Sequence, residues 1–266
     1  VTFGLNRNKV TELPGNEDYR PNPFSLARVG EAVGVFYGFK ALGVYARDED
    51  NVYLDANGQV SQYRRGSSTG EIFRGGDVIF EDINNDGIID INDLQIIGNP
   101  TPKAFGGFQN SFSYKGFTLN LFVNAVFGNN IFNELNRRID GNQFDVNYST
   151  NQLRRWRVQG DETDVPRLVR GDPMRNYSVS SLFVEDGSFI RLQNAALNYK
   201  LPSKVTKNLG LSVANIGFSV QNLLTFGSYK GYDPEVSSGN NPLGFGVDNG
   251  AFPRTRNYNL SLNIKF

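Results

Sequence analysis

The chain has 266 residues, 39% of them hydrophobic, and a mean hydropathy of −0.40. No run approaches the ~18 apolar residues that a membrane helix needs. Lys+Arg and Asp+Glu stand at 27 each, so charge gives no reason to expect nucleic acid. The absence of cysteine excludes disulfides and thiolate metal sites, and the absence of histidine removes the commonest general base and zinc ligand.

Aromatics reach 13%, with 21 Phe and 12 Tyr, which suits strands and the aromatic girdles of β-barrels. Val1-Thr2-Phe3-Gly4-Leu5-Asn6 already reads like mid-strand, and no signal peptide is visible. The chain is therefore expected to be a C-terminal piece of something longer.

Asp82-Ile83-Asn84-Asn85-Asp86-Gly87-Ile88-Ile89-Asp90-Ile91-Asn92-Asp93 matches the calcium-loop pattern D-x-[DN]-x-[DN]-G with an acid at position 12. Calcium takes six to eight oxygen ligands at about 2.3–2.6 Å. Asp82, Asn84 and Asp86 are expected to supply three side-chain oxygens, Ile88 its carbonyl, and Asp90 an oxygen directly or through water. Asp93 would close the site with a shorter arm than the usual Glu. Gly87 permits the sharp turn and Ile89 pins the loop to the body. The expected role is structural, stiffening an insert around 77–98; the same residues without metal would form an Asx-rich turn.

Alternating strands follow. Phe105 to Tyr114 and Phe117 to Phe127 flank the tight turn Lys115-Gly116. Ser188 to Lys200 ends at Leu201-Pro202, where proline stops the ladder. Ile216 to Phe226 puts Ile216, Phe218, Val220, Leu224 and Phe226 on one face. In the last strand, Arg256 to Phe266, Leu260, Leu262, Ile264 and Phe266 face one way and Asn259, Ser261, Asn263 and Lys265 the other. A soluble protein rarely ends on such an open edge; a barrel closes by pairing its last strand with its first.

The connections alternate in length. Lys115-Gly116 and Leu201 to Gly210 are short. Gly128 to Gly187 and Gly227 to Thr255 are long and polar. This is the pattern of short periplasmic turns and long extracellular loops in outer-membrane barrels, with Phe266 on the periplasmic side. Within the first long loop, Asn130 to Ile139 and Asn151 to Gln159 have helical spacing. Glu134, Asp140, Asp161, Glu162 and Asp164 read as solvated surface charge. No nucleophile with a neighbouring base and no phosphate-cradling glycine loop is present, so no enzyme is expected. Thr118, Asn120, Asn124, Gln221, Asn259 and Asn263 would face a wet lumen. Trp156, Tyr148 and Tyr177 are aromatics that could stack on sugar rings or simply pack the loops.

An alternative fold shares these features: a secreted, calcium-stabilised β-sandwich that binds glycans or cell surfaces. The two differ in the outward face. A barrel shows a continuous apolar band about 25 Å tall with aromatics at its edges, whereas a sandwich buries those residues.

From Gly76-Asp77-Val78-Ile79-Phe80 through the Asp82–Asp93 loop to Ile97-Gly98-Asn99-Pro100-Thr101-Pro102, then Phe105-Gly106-Gly107 and Tyr114-Lys115-Gly116-Phe117, the chain resembles a family. The likeness continues through Glu185-Asp186-Gly187-Ser188-Phe189-Ile190-Arg191-Leu192-Gln193-Asn194 and Tyr199-Lys200-Leu201-Pro202. It ends in Gln221-Asn222-Leu223-Leu224-Thr225-Phe226 and Tyr229-Lys230-Gly231-Tyr232-Asp233-Pro234-Glu235. Order and spacing are similar to the C-terminal part of SusC/RagA-type TonB-dependent outer-membrane transporters, from about Val29 to Phe266. The resemblance implies an all-β fold: the last third of a transmembrane antiparallel barrel of about 22 strands with long extracellular loops, the calcium loop among them. It implies active import of oligosaccharides or peptides, energised through TonB, with a SusD-like surface lipoprotein as partner. The plug and the TonB contact would lie in the part of the protein not in this chain, and the barrel would sit in outer-membrane lipid.

Overall fold

The computed structural model describes residues 1–141, 147–235 and 242–266. Residues 142–146 and 236–241, which belong to the two long connections, lie outside the described residues.

Six strands form one antiparallel sheet. They are β1 (Thr2–Leu5), β2 (Ala104–Tyr114), β3 (Phe117–Phe127), β4 (Phe189–Lys200), β5 (Val213–Gly227) and β6 (Asn257–Lys265). Each pairs with the next in chain order. The alternation located every one of them within a few residues, and Val1–Asn6 indeed holds a strand. β1 runs antiparallel to β2, so its direction is fixed as well.

Local chemistry sets the strand ends. Lys115 and Gly116 both take positive φ, +45° and +88°, the backbone a two-residue hairpin needs to match strand twist. Pro202 ends the β4 side and caps a short helix, α2 (Ser203–Asn208), before β5 begins. Asn222 sits at φ +53°, and the β4–β5 register shifts beside it, between Leu192 and Asn194. This bulge is why the apolar alternation of β5 skips from Val220 to Leu224.

The register sorts the side chains into two faces. On one, Phe112, Leu119, Leu197, Phe218 and Leu260 follow one another from strand to strand. On the other stand Ser113, Thr118, Asn198, Gly217 and Ser261. The apolar face is open: Phe112 is 57% exposed and Leu260 81%. An 11-residue strand such as β3 is about 35 Å long at about 3.4 Å per residue. At a tilt near 45° its height is about 25 Å.

The three long connections, 6–103, 128–188 and 228–256, leave the same end of the sheet and pack together. Their interior holds two aromatic clusters. One gathers Phe39, Tyr45, Phe73, Val78, Phe80, Ile89 and Met174, and the other Phe36, Phe132, Tyr177, Phe183 and Val247. The main core of the described chain therefore lies in this lobe, beside the sheet.

Three expectations about the lobe are corrected. Asn130–Asn133 is a strand, paired with Val184–Asp186, and only Glu134–Asp140 is helical (α1). The β-prone Ile131 and Phe132 are buried in a separate three-stranded sheet of the lobe and override the i, i+4 spacing. Over Asn151 to Gln159 the helix shrinks to one short turn, Thr150–Arg154, which Ser149 caps. Glu134 and Asp140 are not solvated: both are buried. Glu134 is held by Arg137 at 2.5 Å and Arg138 at 2.8 Å, and Asp140 accepts from Ser149 Oγ and Asn151 Nδ2.

Candidate functional site

Three places carry polar chemistry. The first is the loop 82–93, between the strand Val78–Phe80 and the helical turn Ile91–Asp93. Asp82 accepts the Asn85 N–H through Oδ1 and the Gly87 N–H through Oδ2, both at 2.8 Å. Asn84 Oδ1 accepts from the Asp86 N–H at 3.2 Å, and Asp86 Oδ1 from the Ile88 N–H at 2.8 Å. Gly87 lies at φ +76°, and a Cβ there would sit 1.8 Å from Tyr53 Oη, so glycine is required twice over. Ile89 is 1% exposed and does pin the loop, in the first aromatic cluster.

Asp82, Asn84 and Asp86 thus share one tight turn. Asp90 caps the next turn by accepting from the Asn92 N–H at 2.7 Å. Asp93, fully buried, accepts from the Ile83 N–H at 2.9 Å and the Asp90 N–H at 2.8 Å. Burial pushes the Asp93 carboxyl up, against the pull of those two N–H groups. The donor set is all hard oxygen and suits calcium. In this conformation those oxygens hold the loop's own N–H groups, and no three acidic side chains among the described residues converge at metal-binding spacing.

The second place is the polar face of the sheet. The pairs Thr118–Asn198 and Asn215–Asn263, and the stagger from Asn120 to Asn124, put the six expected polar residues on this face; Gln221 and Asn259 pair with Asn257 and Ser219. The Oδ1 atoms of Asn124 and Asn194 are buried there without a hydrogen-bond partner.

The third was not assigned in the sequence. Arg191, in β4 on the same face, is 1% exposed. Its Nη2 donates to Asp233 Oδ1 and its Nη1 to Glu235 Oε2, both at 2.6 Å, and its Nε to Thr225 Oγ1 at 3.0 Å. Arg254 adds a second cation on Glu235 at 3.2 Å. The 228–256 connection is thereby fastened across the polar face. The signal was there: an Arg inside an alternating strand, and Asp-Pro-Glu in a distant loop, need each other once buried.

The aromatics sort differently from their sequence reading. Tyr177 is buried in the second cluster and donates no face to solvent. Trp156 gives its Nε1–H to the Ala46 carbonyl at 2.9 Å and packs on Gly75 and Gly76. Both are loop packing; Tyr148 remains 44% exposed.

No protein-family model matches the chain. Two TonB-dependent receptors of Formosa agariphila, P3 and P39, are 33% and 31% identical over 99% of it. The chain belongs to the TonB-dependent receptors. The TonB-dependent receptor SusC of Bacteroides thetaiotaomicron is 26% identical over 71% of the chain. The structure of the RagAB peptide transporter superposes over 99% of it with a TM-score of 0.74 at 22% identity, which establishes the fold. The chain spans only about a quarter of its relatives' length, 26% and 28% for the two Formosa receptors. The curated relatives are named as receptors, not as enzymes. Among the described residues no helix is long and apolar enough to cross a membrane, which bears only on helices.

Proposed function

We propose that this chain is the C-terminal barrel segment of an outer-membrane importer of oligosaccharides or peptides, energised through TonB and working with a SusD-like surface lipoprotein. The six strands would form part of the barrel wall, their apolar face toward lipid and their polar face toward the lumen. One observation carries this reading: a six-stranded sheet holds Leu260, Phe112 and their row-mates open on one face while its partner face is polar. The sandwich alternative has no comparable support, because it needs that face buried. Phe117 and Tyr199, stacked at 4.3 Å beside the short turn, suit the periplasmic aromatic girdle. The lobe would then be extracellular.

The test is fractionation of the full-length protein. It is expected in the outer membrane, migrating as a heat-modifiable band and retaining a surface lipoprotein after detergent extraction. Recovery as a water-soluble species without detergent overturns the proposal.

We also propose that calcium occupies the 82–93 loop through Asp82, Asn84, Asp86 and the Ile88 carbonyl, with Asp90 and Asp93 completing the shell after turning from their N–H partners. Support comes from the spacing and the left-handed Gly87. Tyr53, whose Oη lies 3.5 Å from the Asp86 carbonyl, gives a direct readout. Terbium bound in the loop would be sensitised by this ring and displaced by calcium. Terbium emission unchanged by Asp82→Ala would sink the calcium reading.

A further inference from the structure

The largest cavity described in the lobe, about 750 Å³, is walled by Tyr37, Phe39, Ile89 and Leu94 and holds the side chains of Arg65 and Arg175. This is the size range of pockets for drug-sized molecules. Neither guanidinium makes an ion pair with any described residue, and Arg65 Nη1 is buried with no hydrogen-bond partner. Arg65 lies over the Phe39 ring, 4.9 Å from its centroid. Burial, and then the Arg175 cation beside it, push the Arg65 guanidinium down to about 10, so it keeps its charge at neutral pH.

Asp172, Asp90 and Asp93 offset part of the Arg65 charge across space, but none of them forms an ion pair with its guanidinium, and their oxygens are engaged elsewhere. Asp172 accepts from the backbone N–H groups of Asn176 and Tyr177, at 2.8 Å and 3.0 Å. Asp90 accepts from Asn92, at 2.7 Å and 3.3 Å. Glu71, at the cavity edge, is exposed. Arg175 is exposed, but Arg65 beside it is half-buried against apolar walls with one donor left open, which is costly as it stands. An entering oxyanion would satisfy both, in the planar two-donor geometry that arginine offers.

We infer that this cavity is a binding site for a carboxylate-bearing solute, whose ring or apolar body lies against Tyr37, Phe39, Ile89 and Leu94. Acidic sugars and acidic peptides share this chemistry. The inference does not depend on the import reading, since binding is measured on purified protein whether or not uptake occurs.

The experiment is calorimetric titration of the full-length protein in detergent. The probes are tri-galacturonate and tri-glutamate, each beside its uncharged counterpart, the galacturonate methyl ester and tri-glutamine. At least one acid is expected to bind and its uncharged counterpart not. Arg65→Gln and Arg175→Gln are each expected to weaken binding about tenfold or more, the scale of one charge-assisted hydrogen bond. Binding of the sugar acid alone identifies a saccharide site, of the peptide acid alone a peptide site, and of both a site that reads the carboxylate; each supports the proposal. It is overturned by equal binding of charged and uncharged forms, by indifference to the substitutions, or by no binding of either acid. No binding would mean that an acidic group from elsewhere in the protein or its partner fills the cavity. If Arg65→Gln does not fold, Arg175→Gln decides the outcome.

Discussion

The lobe and the sheet use apolar side chains in opposite ways. In the lobe, Phe36, Phe73 and Phe132 are at most 1% exposed, and two of the buried carboxylates are paired with cations: Asp77 with Arg167, Glu134 with Arg137. In the sheet, Leu260 and Leu262 are 81% and 65% exposed, and the ladder of backbone hydrogen bonds supplies the order. The lobe carries its own core; the sheet needs something apolar against it. That contrast separates a lobe folded by water from a sheet whose open face, on the proposed reading, meets lipid.

The largest effect expected from breaking the contrast lies in the lobe. Asp77 is fully buried and accepts from Arg167 Nε and Nη2, Asn176 Nδ2 and the Arg74 N–H. Asp77→Ala strands the Arg167 cation and two further donors, a loss of about 3–5 kcal/mol. It should lower the denaturant midpoint of the full-length protein and open the lobe to protease before the sheet. Coincident cleavage of both regions would show that the lobe has no independent core.

Next comes the sheet. Leu121, mid-strand in β3, faces the apolar side, and its neighbour Asn120 the polar side. Leu121→Arg should cost about 2–4 kcal/mol on folding into a bilayer, the value for a charge at mid-depth on a lipid face. Asn120→Arg should cost far less. Equal costs would mean that the open apolar face does not meet lipid.

These two regions were unequally legible in the sequence. The strands could be read because alternation with period two survives without any partner; even the bulge at Asn222 showed as a skipped position. The lobe could not. Ile131 and Phe132 fitted a helix, and only their burial against Val184 and Val247 makes them a strand. Glu134 and Asp140 looked like surface charge because, Arg137 and Arg138 apart, what buries and holds them is identified only by folding. Arg191 and Glu235 are 44 positions apart in the chain, a distance over which no periodicity speaks. The loop 82–93 lies between these cases: its turn chemistry was legible, whereas the N–H partners of Asp93 were not.

That loop gives a third, smaller test. Gly87→Ala forces a side chain into φ +76° and into the Tyr53 hydroxyl. About 1–3 kcal/mol of local strain is expected. It should abolish terbium emission and free the 82–93 segment to protease, while the two clusters stay folded. Retained emission would show that the loop tolerates a side chain there and that its calcium reading is wrong.

The smallest effect concerns pH. Glu81, half-exposed beside the loop, accepts from Gln95 Nε2 at 2.5 Å and from Lys40 Nζ at 3.0 Å. Those bonds, Gln95 first and Lys40 second, hold its carboxyl below the ordinary 4.5. A carboxyl depressed in the folded state contributes stability above its unfolded value and loses it as pH falls through the folded one. The contribution is therefore complete at pH 6 and fades below about 4.5. Glu81→Gln keeps the side chain but removes the titration. It should lower Tm slightly at pH 6, and the difference from wild type should shrink as pH falls below about 4.5 and the wild-type interaction is lost. A difference that does not shrink with falling pH would mean that Glu81 acts through packing rather than charge, and screening by solvent keeps the whole effect small.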